Sequence, residues 1–163
     1  MTALVTGASR GIGRAIAARL SQAGCAVIGT FRDPSALRRG DPLPGVRYLP
    51  LDLRDQRSIQ ALAAEVGVVD VLVNNAGMSQ IGPVEDVPLD LVRGIFETNL
   101  FGLLSLTKLF LPGMRARRAG MIVNIASFAG VTPVPSSAMT CRCGCAMATP
   151  NAIGMARPML PSM

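Results

Sequence analysis

Three glycines placed between an apolar run and a helical pattern constrain this chain more than any other feature. Thr2 to Thr6 reads TALVT, the next seven residues read GASRGIG, and Ile12, Ile16 and Leu20 then recur at helical spacing. The pattern is a strand, a tight turn and a helix, with Gly7, Gly11 and Gly13 in the turn. Further short apolar runs follow at Ala26–Thr30 (AVIGT), Val46–Leu49 (VRYL), Asp70–Asn74 (DVLVN) and Met121–Ala126 (MIVNIA). Each is nearly continuous rather than alternating, as parallel strands covered on both faces require. Helical segments lie between them: one closed by Gly24, one starting at Asp33-Pro34, and one marked by Ile59, Leu62, Ala63 and Val66. The expected fold class is α/β, a doubly wound parallel sheet.

The longest helix is expected from Pro88 to Leu111. Val92, Ile95, Phe96, Leu103, Leu106 and Phe110 trace one apolar stripe, and Leu100, Leu104 and Leu111 a second. A helix apolar on two sides is buried on two sides, so this one is expected to pack on the sheet and on another helix or subunit. It is therefore the candidate contact of a homo-oligomer. Gly94 and Gly102 each cost roughly 1 kcal/mol against alanine inside a helix, and close helix contact is the expected reason for keeping them.

Composition narrows the function. The chain has 163 residues, enough for one domain with a sizeable core, and a formal charge of +6. With one tyrosine and no tryptophan, it lacks the aromatic interleaving that stacks on bases, so no nucleic-acid partner is expected. The densest basic group, Arg115, Arg117 and Arg118, is read as a helix end whose cations complement the macrodipole. There is no stretch of about 18 uninterrupted apolar residues and no signal-peptide layout, so the expected setting is cytoplasmic, away from membrane. Cys25 stands alone, while Cys141, Cys143 and Cys145 form a C-x-C-x-C run without the spacing or fourth ligand of structural zinc. No metal is expected. The chain contains no histidine. Although Gly7-Ala8-Ser9-Arg10-Gly11 fits the nucleophile-elbow pattern of a hydrolase, its serine would have no imidazole base.

In its strand-to-helix context the glycine turn has a chemical reading. Glycines allow close backbone approach to a pyrophosphate, whose charge the helix N-terminus favours, as a dinucleotide site demands. An acid after the second strand would select NAD, and an arginine the 2′-phosphate of NADP. Phe31 and Arg32 stand there with no acid before Asp33, and Arg10 adds a cation, so NADP(H) is expected in preference to NAD(H).

TGASRGIG at Thr6–Gly13, NNAG at Asn74–Gly77, Asn99 in the long helix and IVNIAS at Ile122–Ser127 occur in order along the first 135 residues. In these motifs the chain resembles the short-chain dehydrogenase/reductase family. GTFRDP (Gly29–Pro34) and PLPGV (Pro42–Val46) look most like its steroid-dehydrogenase-like reductases. The resemblance implies a Rossmann-like sheet and hydride transfer between a nicotinamide and a carbonyl or secondary alcohol of a small molecule. It implies cofactor contacts from Gly7, Ser9, Arg10, Gly11, Ile12, Gly13 and Arg32. Asp52 and Leu53 would meet the adenine, and Asn75, Ala76 and Gly77 the adenosine ribose. Ser127 corresponds to the substrate-binding serine, and Asn99 to the asparagine that supports a water and lysine relay. Asn99 also lies on the apolar stripe of the long helix, where an unpaired amide would be costly, so a structural hydrogen bond explains it equally well.

The family's acid/base is a Tyr-x-x-x-Lys pair. Counting from Ser127, its positions hold Thr140 and Gly144; the only tyrosine is Tyr48 and the only lysine Lys108. An aliphatic hydroxyl is far less acidic than a phenol, and loss of a positioned proton donor typically removes about 10²–10⁴ in rate. An inactive or impaired reductase is expected, with a non-catalytic NADP(H)-binding or partner-binding protein as the alternative. Periodicity ends near Ser136. The Rossmann-like domain, ending after a fifth strand, is accordingly assigned to 1–135, and 136–163 is expected to be an out-of-frame or otherwise aberrant tail.

Overall fold

The structure is a computed structural model and describes residues 1–35 and 42–127. The expected tail at 136–163, with its boundary, lies outside the described residues. Two compact units are present. The larger comprises Met1–Ser79 and Pro88–Ile125. The other includes, among the described residues, Gln80–Val87 with a short 3₁₀ turn at Val84–Asp86, together with Ala126 and Ser127.

The large unit is built on five parallel strands: β1 (Thr2–Val5), β2 (Ala26–Phe31), β3 (Val46–Pro50), β4 (Val71–Asn74) and β5 (Met121–Asn124). Their order is β3-β2-β1-β4-β5. Helices α1 (Gly11–Gln22) and α2 (Gln56–Val66) connect the early strands. A helical run from Leu89 to Ala116 precedes β5. Side-chain alternation divides each central strand between two cores. Leu4, Ile28 and Leu72 face α2 and the long run, while Ala3, Val5, Val27, Val71 and Val73 face α1. Both faces are thereby covered, which is why the strands read as continuous apolar runs.

On α1 the sequence pattern and the packing part company. Gly13 and Ala17 are its buried residues, Ile16 and Leu20 flank them, and Ile12 is 64% exposed. Ile12 therefore does not belong to the core stripe. The helix ends as expected at Gly24, whose φ of 82° lets the Cys25 N–H return to the Leu20 carbonyl at 3.0 Å.

The long run differs from expectation in both length and phase. It starts at Leu89 and continues past Leu111, through Pro112, to Ala116, and its middle is a π-helical segment at Glu97–Gly102. α3 (Leu89–Phe96) precedes that segment and α4 (Leu103–Ala116) follows it. The wider turn shifts the phase of the helix, so a stripe drawn at 3.6 residues per turn cannot be continuous across it. The buried line is Thr98, Gly102, Leu106, Phe110 and Met114, whereas Phe96 lies exposed beside Leu100, Phe101 and Leu104. By length and composition the run could cross a bilayer, with a mean hydropathy of 1.2, but α4 sets Leu106, Phe110 and Met114 into the sheet core.

The basic residues at the end of α4 have a structural use. Arg117 donates to the Val69 carbonyl at 3.0 Å and lies 3.6 Å from the Asp70 carboxylate, tying the helix end to the start of β4.

Of the two helix glycines, only Gly102 lies at a close approach. A Cβ there would collide with the Leu53 carbonyl, while one at Gly94 meets nothing within 4 Å. Gly102→Ala should therefore destabilise the chain by about 1–3 kcal/mol through overpacking. Gly94→Ala should stabilise it by up to about 1 kcal/mol through helix propensity. Urea denaturation midpoints measure both, and equal effects would contradict the packing described.

Candidate functional site

β1 has β2 on one side and β4 on the other, so the chain's order along the sheet reverses there. In open parallel sheets, ligand crevices form beyond the strand ends at such a reversal. A cleft of about 800 Å³ opens at that place.

Its floor is organised by Thr6, which is 1% exposed. The Thr6 hydroxyl accepts from the backbone N–H groups of Asn75 and Ala76, each at 2.9 Å, and donates to the Val73 carbonyl at 3.3 Å. In return the Asn75 side-chain amide donates to the carbonyls of Thr6 at 2.9 Å and Gly7 at 3.2 Å. Thr30 joins from β2, accepting the Gly7 N–H on its hydroxyl at 3.2 Å and the Ala8 N–H on its carbonyl at 2.8 Å. Beneath, Asn74 donates to Asn124 at 2.9 Å and Thr107 at 3.2 Å, joining β4 to β5 and α4.

This floor sets where α1 begins. A Cβ at Gly13 would strike both the Asn75 amide and the Gly7 carbonyl, so only glycine lets the first helical turn sit this close. Arg10 is the N-cap residue but makes no side-chain cap bond, and the first turn contains no acid. The amides opening α1 thus retain donor capacity and partial positive charge at the cleft, an arrangement that fits a phosphate.

All the cofactor residues expected from the sequence line the cleft: Gly7, Ser9, Arg10, Gly11, Ile12 and Gly13 from the first turn, Arg32 after β2, Asp52 and Leu53 after β3, and Asn75, Ala76 and Gly77 after β4. Ile12, which shares a helical period with Ile16 and Leu20, is among them. Thr30, Phe31, Asp33, Ser35, Leu51, Met78, Ser79 and Thr98 also line it and were not assigned from sequence. Most adjoin an assigned residue in the chain, which was the available signal.

The acids near Arg32 have other partners. Asp33 accepts from the Ser35 N–H at 2.8 Å and hydroxyl at 2.6 Å, as the cap of the helical turn that starts there. Asp52 accepts on Oδ1 from the Arg54 N–H and Nε, both at 3.0 Å, and on Oδ2 from Arg54 Nη2 at 2.6 Å. The Arg54 side-chain bonds hold the Asp52 carboxyl below its ordinary value of 3.8, against the opposing effect of burial. The Arg54 N–H and the charges of Arg54 and Arg32 lower it further. The Arg32 guanidinium donates to the Met78 sulfur at 3.6 Å, a weak acceptor.

Asn99 lies in the π-helical segment and is exposed, not buried on an apolar stripe. Its Oδ1 accepts from the Met78 N–H and its Nδ2 donates to the Met78 carbonyl, both at 2.8 Å. The amide thus holds the loop after β4 by two backbone bonds. Ser127 is exposed, follows the end of β5 by three residues and belongs to the second unit. Thr140, Gly144 and the three clustered cysteines lie outside the described residues. Tyr48 packs on the α1 side of the sheet and Lys108 is exposed on α4; neither lines the cleft. Among the described residues no group of three His, Cys, Asp or Glu is placed to hold a metal.

The family profile described as short chain dehydrogenase matches residues 1–141. The chain belongs to the short-chain dehydrogenase family. A probable NADP-dependent dehydrogenase of Haemophilus influenzae is 40% identical over 143 residues, covering 83% of this chain and 57% of the relative. Among solved structures, a short-chain dehydrogenase from Streptomyces avermitilis is 44% identical with a TM-score of 0.73, covering 80% of this chain and 50% of that one. A metagenomic short-chain oxidoreductase in complex with NADP is 36% identical with a TM-score of 0.73, covering 85% and 67%. The chain spans about half the length of the curated relatives it matches.

Within this family member, the Asp52–Arg54 pairing has a pH signature. The folded value of Asp52 lies below its unfolded one, so the pairing stabilises the fold above the ordinary carboxylate range. That contribution is lost as pH falls through the lowered folded value. Both side chains are substantially exposed, so the energy is small. In an NMR titration Asp52 should protonate at lower pH in the native chain than in Arg54→Gln, where it should return toward 3.8. Coincident titrations would contradict the pairing.

Proposed function

We propose that this chain forms the NADP(H) site of a short-chain oxidoreductase whose reaction is hydride transfer with a carbonyl or secondary alcohol of a small molecule. The observation that carries the proposal is the first turn of α1. It begins with no side-chain cap and no acid, it holds a glycine, Gly13, whose neighbours leave no room for a Cβ, and Arg10 and Arg32 line the same cleft. When bound, the cofactor supplies or accepts the hydride. The chain's own residues bind and orient it. The α1 amides and Arg10 hold the pyrophosphate, and Arg32 holds the 2′-phosphate. Ser9, Ile12, Asp52, Leu53 and the Asn75–Gly77 loop shape the remaining contacts. Three of the carboxylate's roughly four acceptor positions are taken by Arg54, which leaves one on Oδ2 for an adenine amine. Ser127 would hydrogen-bond the reacting oxygen, and Asn99 holds the loop through Met78. The names of the Haemophilus relative and of the metagenomic complex support NADP over NAD. The proposed setting is cytoplasmic, with the exposed face containing Phe96, Leu100 and Leu104 meeting a second copy.

A second reading, a cofactor binder that does not turn over, rests on one specific observation. Thr140 and Gly144 stand where a phenol and an ammonium are needed. Titrating NADPH and NADH into the purified chain, followed by a turnover assay with carbonyl substrates, separates the readings. NADPH should bind about 10–100-fold more tightly than NADH, the worth of one or two charge-assisted hydrogen bonds, and Arg32→Ala should remove most of that difference. Slow turnover above background is expected of an oxidoreductase impaired at Thr140 and Gly144, and none of the binder. No NADPH binding would sink the cofactor assignment, and rapid turnover would sink the impairment.

A further inference from the structure

We propose that Arg54, which does not line the cleft, is a specificity-positioning residue: by pairing with Asp52 it prevents that carboxylate from opposing a 2′-phosphate at Arg32. The inference rests on the cofactor assignment above and adds a residue and a role to it.

Asp52 and Arg32 line the same cleft, yet they form no ion pair with each other. They are close enough for the Arg32 charge to act on the Asp52 carboxyl. A carboxylate in that position has two consequences for an incoming phosphate. It repels the phosphate directly, and it competes for the guanidinium that should receive it. Arg54 lies two residues beyond Asp52 and removes both through a three-bond clasp. Its own N–H and Nε hold Oδ1 at 3.0 Å, and Nη2 holds Oδ2 at 2.6 Å. The Asp52 N–H is also fixed, donating to the Ser58 hydroxyl at 3.0 Å, so the loop bearing the carboxylate is held at both its backbone and its side chain. Arg32, meanwhile, rests on the soft Met78 sulfur at 3.6 Å, a contact that a phosphate oxygen would readily displace. Because Asp52 and Arg54 are near neighbours in sequence, their pairing involves little loop-closure cost. It can therefore persist whether or not ligand is bound.

The test is calorimetric titration of the full chain with adenosine 2′,5′-bisphosphate and with 5′-AMP, which differ only in the 2′-phosphate. In Arg54→Gln, affinity for the 2′,5′-bisphosphate should fall about tenfold, while affinity for 5′-AMP changes by less than about twofold. The loss should shrink as salt rises, because the uncovered carboxylate acts through a screened field. Asp52→Asn combined with Arg54→Gln should restore the 2′-phosphate preference, since no carboxylate is left to shield; a merely structural role for Arg54 would not be rescued this way. An unchanged preference in Arg54→Gln, or no rescue in the double variant, overturns the inference while leaving the cofactor assignment in place. Failure of the native chain to bind the 2′,5′-bisphosphate overturns both.

Discussion

The hydroxyl of Thr6 sits where β1 and β4 part, and the site depends on what it holds together. Two backbone N–H groups of the loop after β4 end on this one oxygen, and Asn75 returns two bonds to the backbone of the glycine turn. Thr6 is buried and its partners are partly so, which makes these groups costly to leave unpaired. Satisfying them fixes the separation between the two loops. Gly13 then allows α1 to start against that joint, and the cleft opens where uncapped amides face outward. The proposed phosphate site thus follows from the way a sheet crevice satisfies its own backbone.

Around this joint the electrostatics are sorted by local pairing. Asp33 caps the turn that follows it, Asp52 is clasped by Arg54, and Arg117 is used at the end of α4. Arg10 and Arg32 are left to face the cleft. A net charge of +6 says little about this arrangement, because most of the cations lie elsewhere in the chain. Which acids are already occupied is decided over distances of two or three residues as much as across the fold.

The glycine turn, the strand runs and the cofactor loops were legible because each carries a local chemical signature: positive φ, close approach, or continuous burial. Ile12 shares a helical period with Ile16 and Leu20 yet lines the cleft, because the first turn of α1 overhangs the cleft rather than the sheet. The misreadings lie farther along the chain. Phe96 and Asn99 were assigned to an apolar stripe that assumed 3.6 residues per turn throughout, and the π-helical segment breaks that phase. Gly94 and Gly102 look alike in sequence, yet only Gly102 meets the Leu53 backbone. Thr30, Met78 and Thr98 carried no motif of their own.

The sequence by itself determined the family, the parallel α/β class, the glycine-lined cleft residues and the fact that Tyr48 and Lys108 are the chain's only tyrosine and lysine. These properties reside in residue type and spacing, which chain connectivity preserves. Only the tertiary structure decided that Thr6 bridges the strand ends, that Asn99 holds Met78, and that Arg54 occupies the carboxylate beside Arg32. Each depends on which side chains meet once the strands take the order β3-β2-β1-β4-β5 and the long helical run changes phase. Hydrogen-bond partners are set by distances of about 3 Å, and spacing along a chain does not contain them.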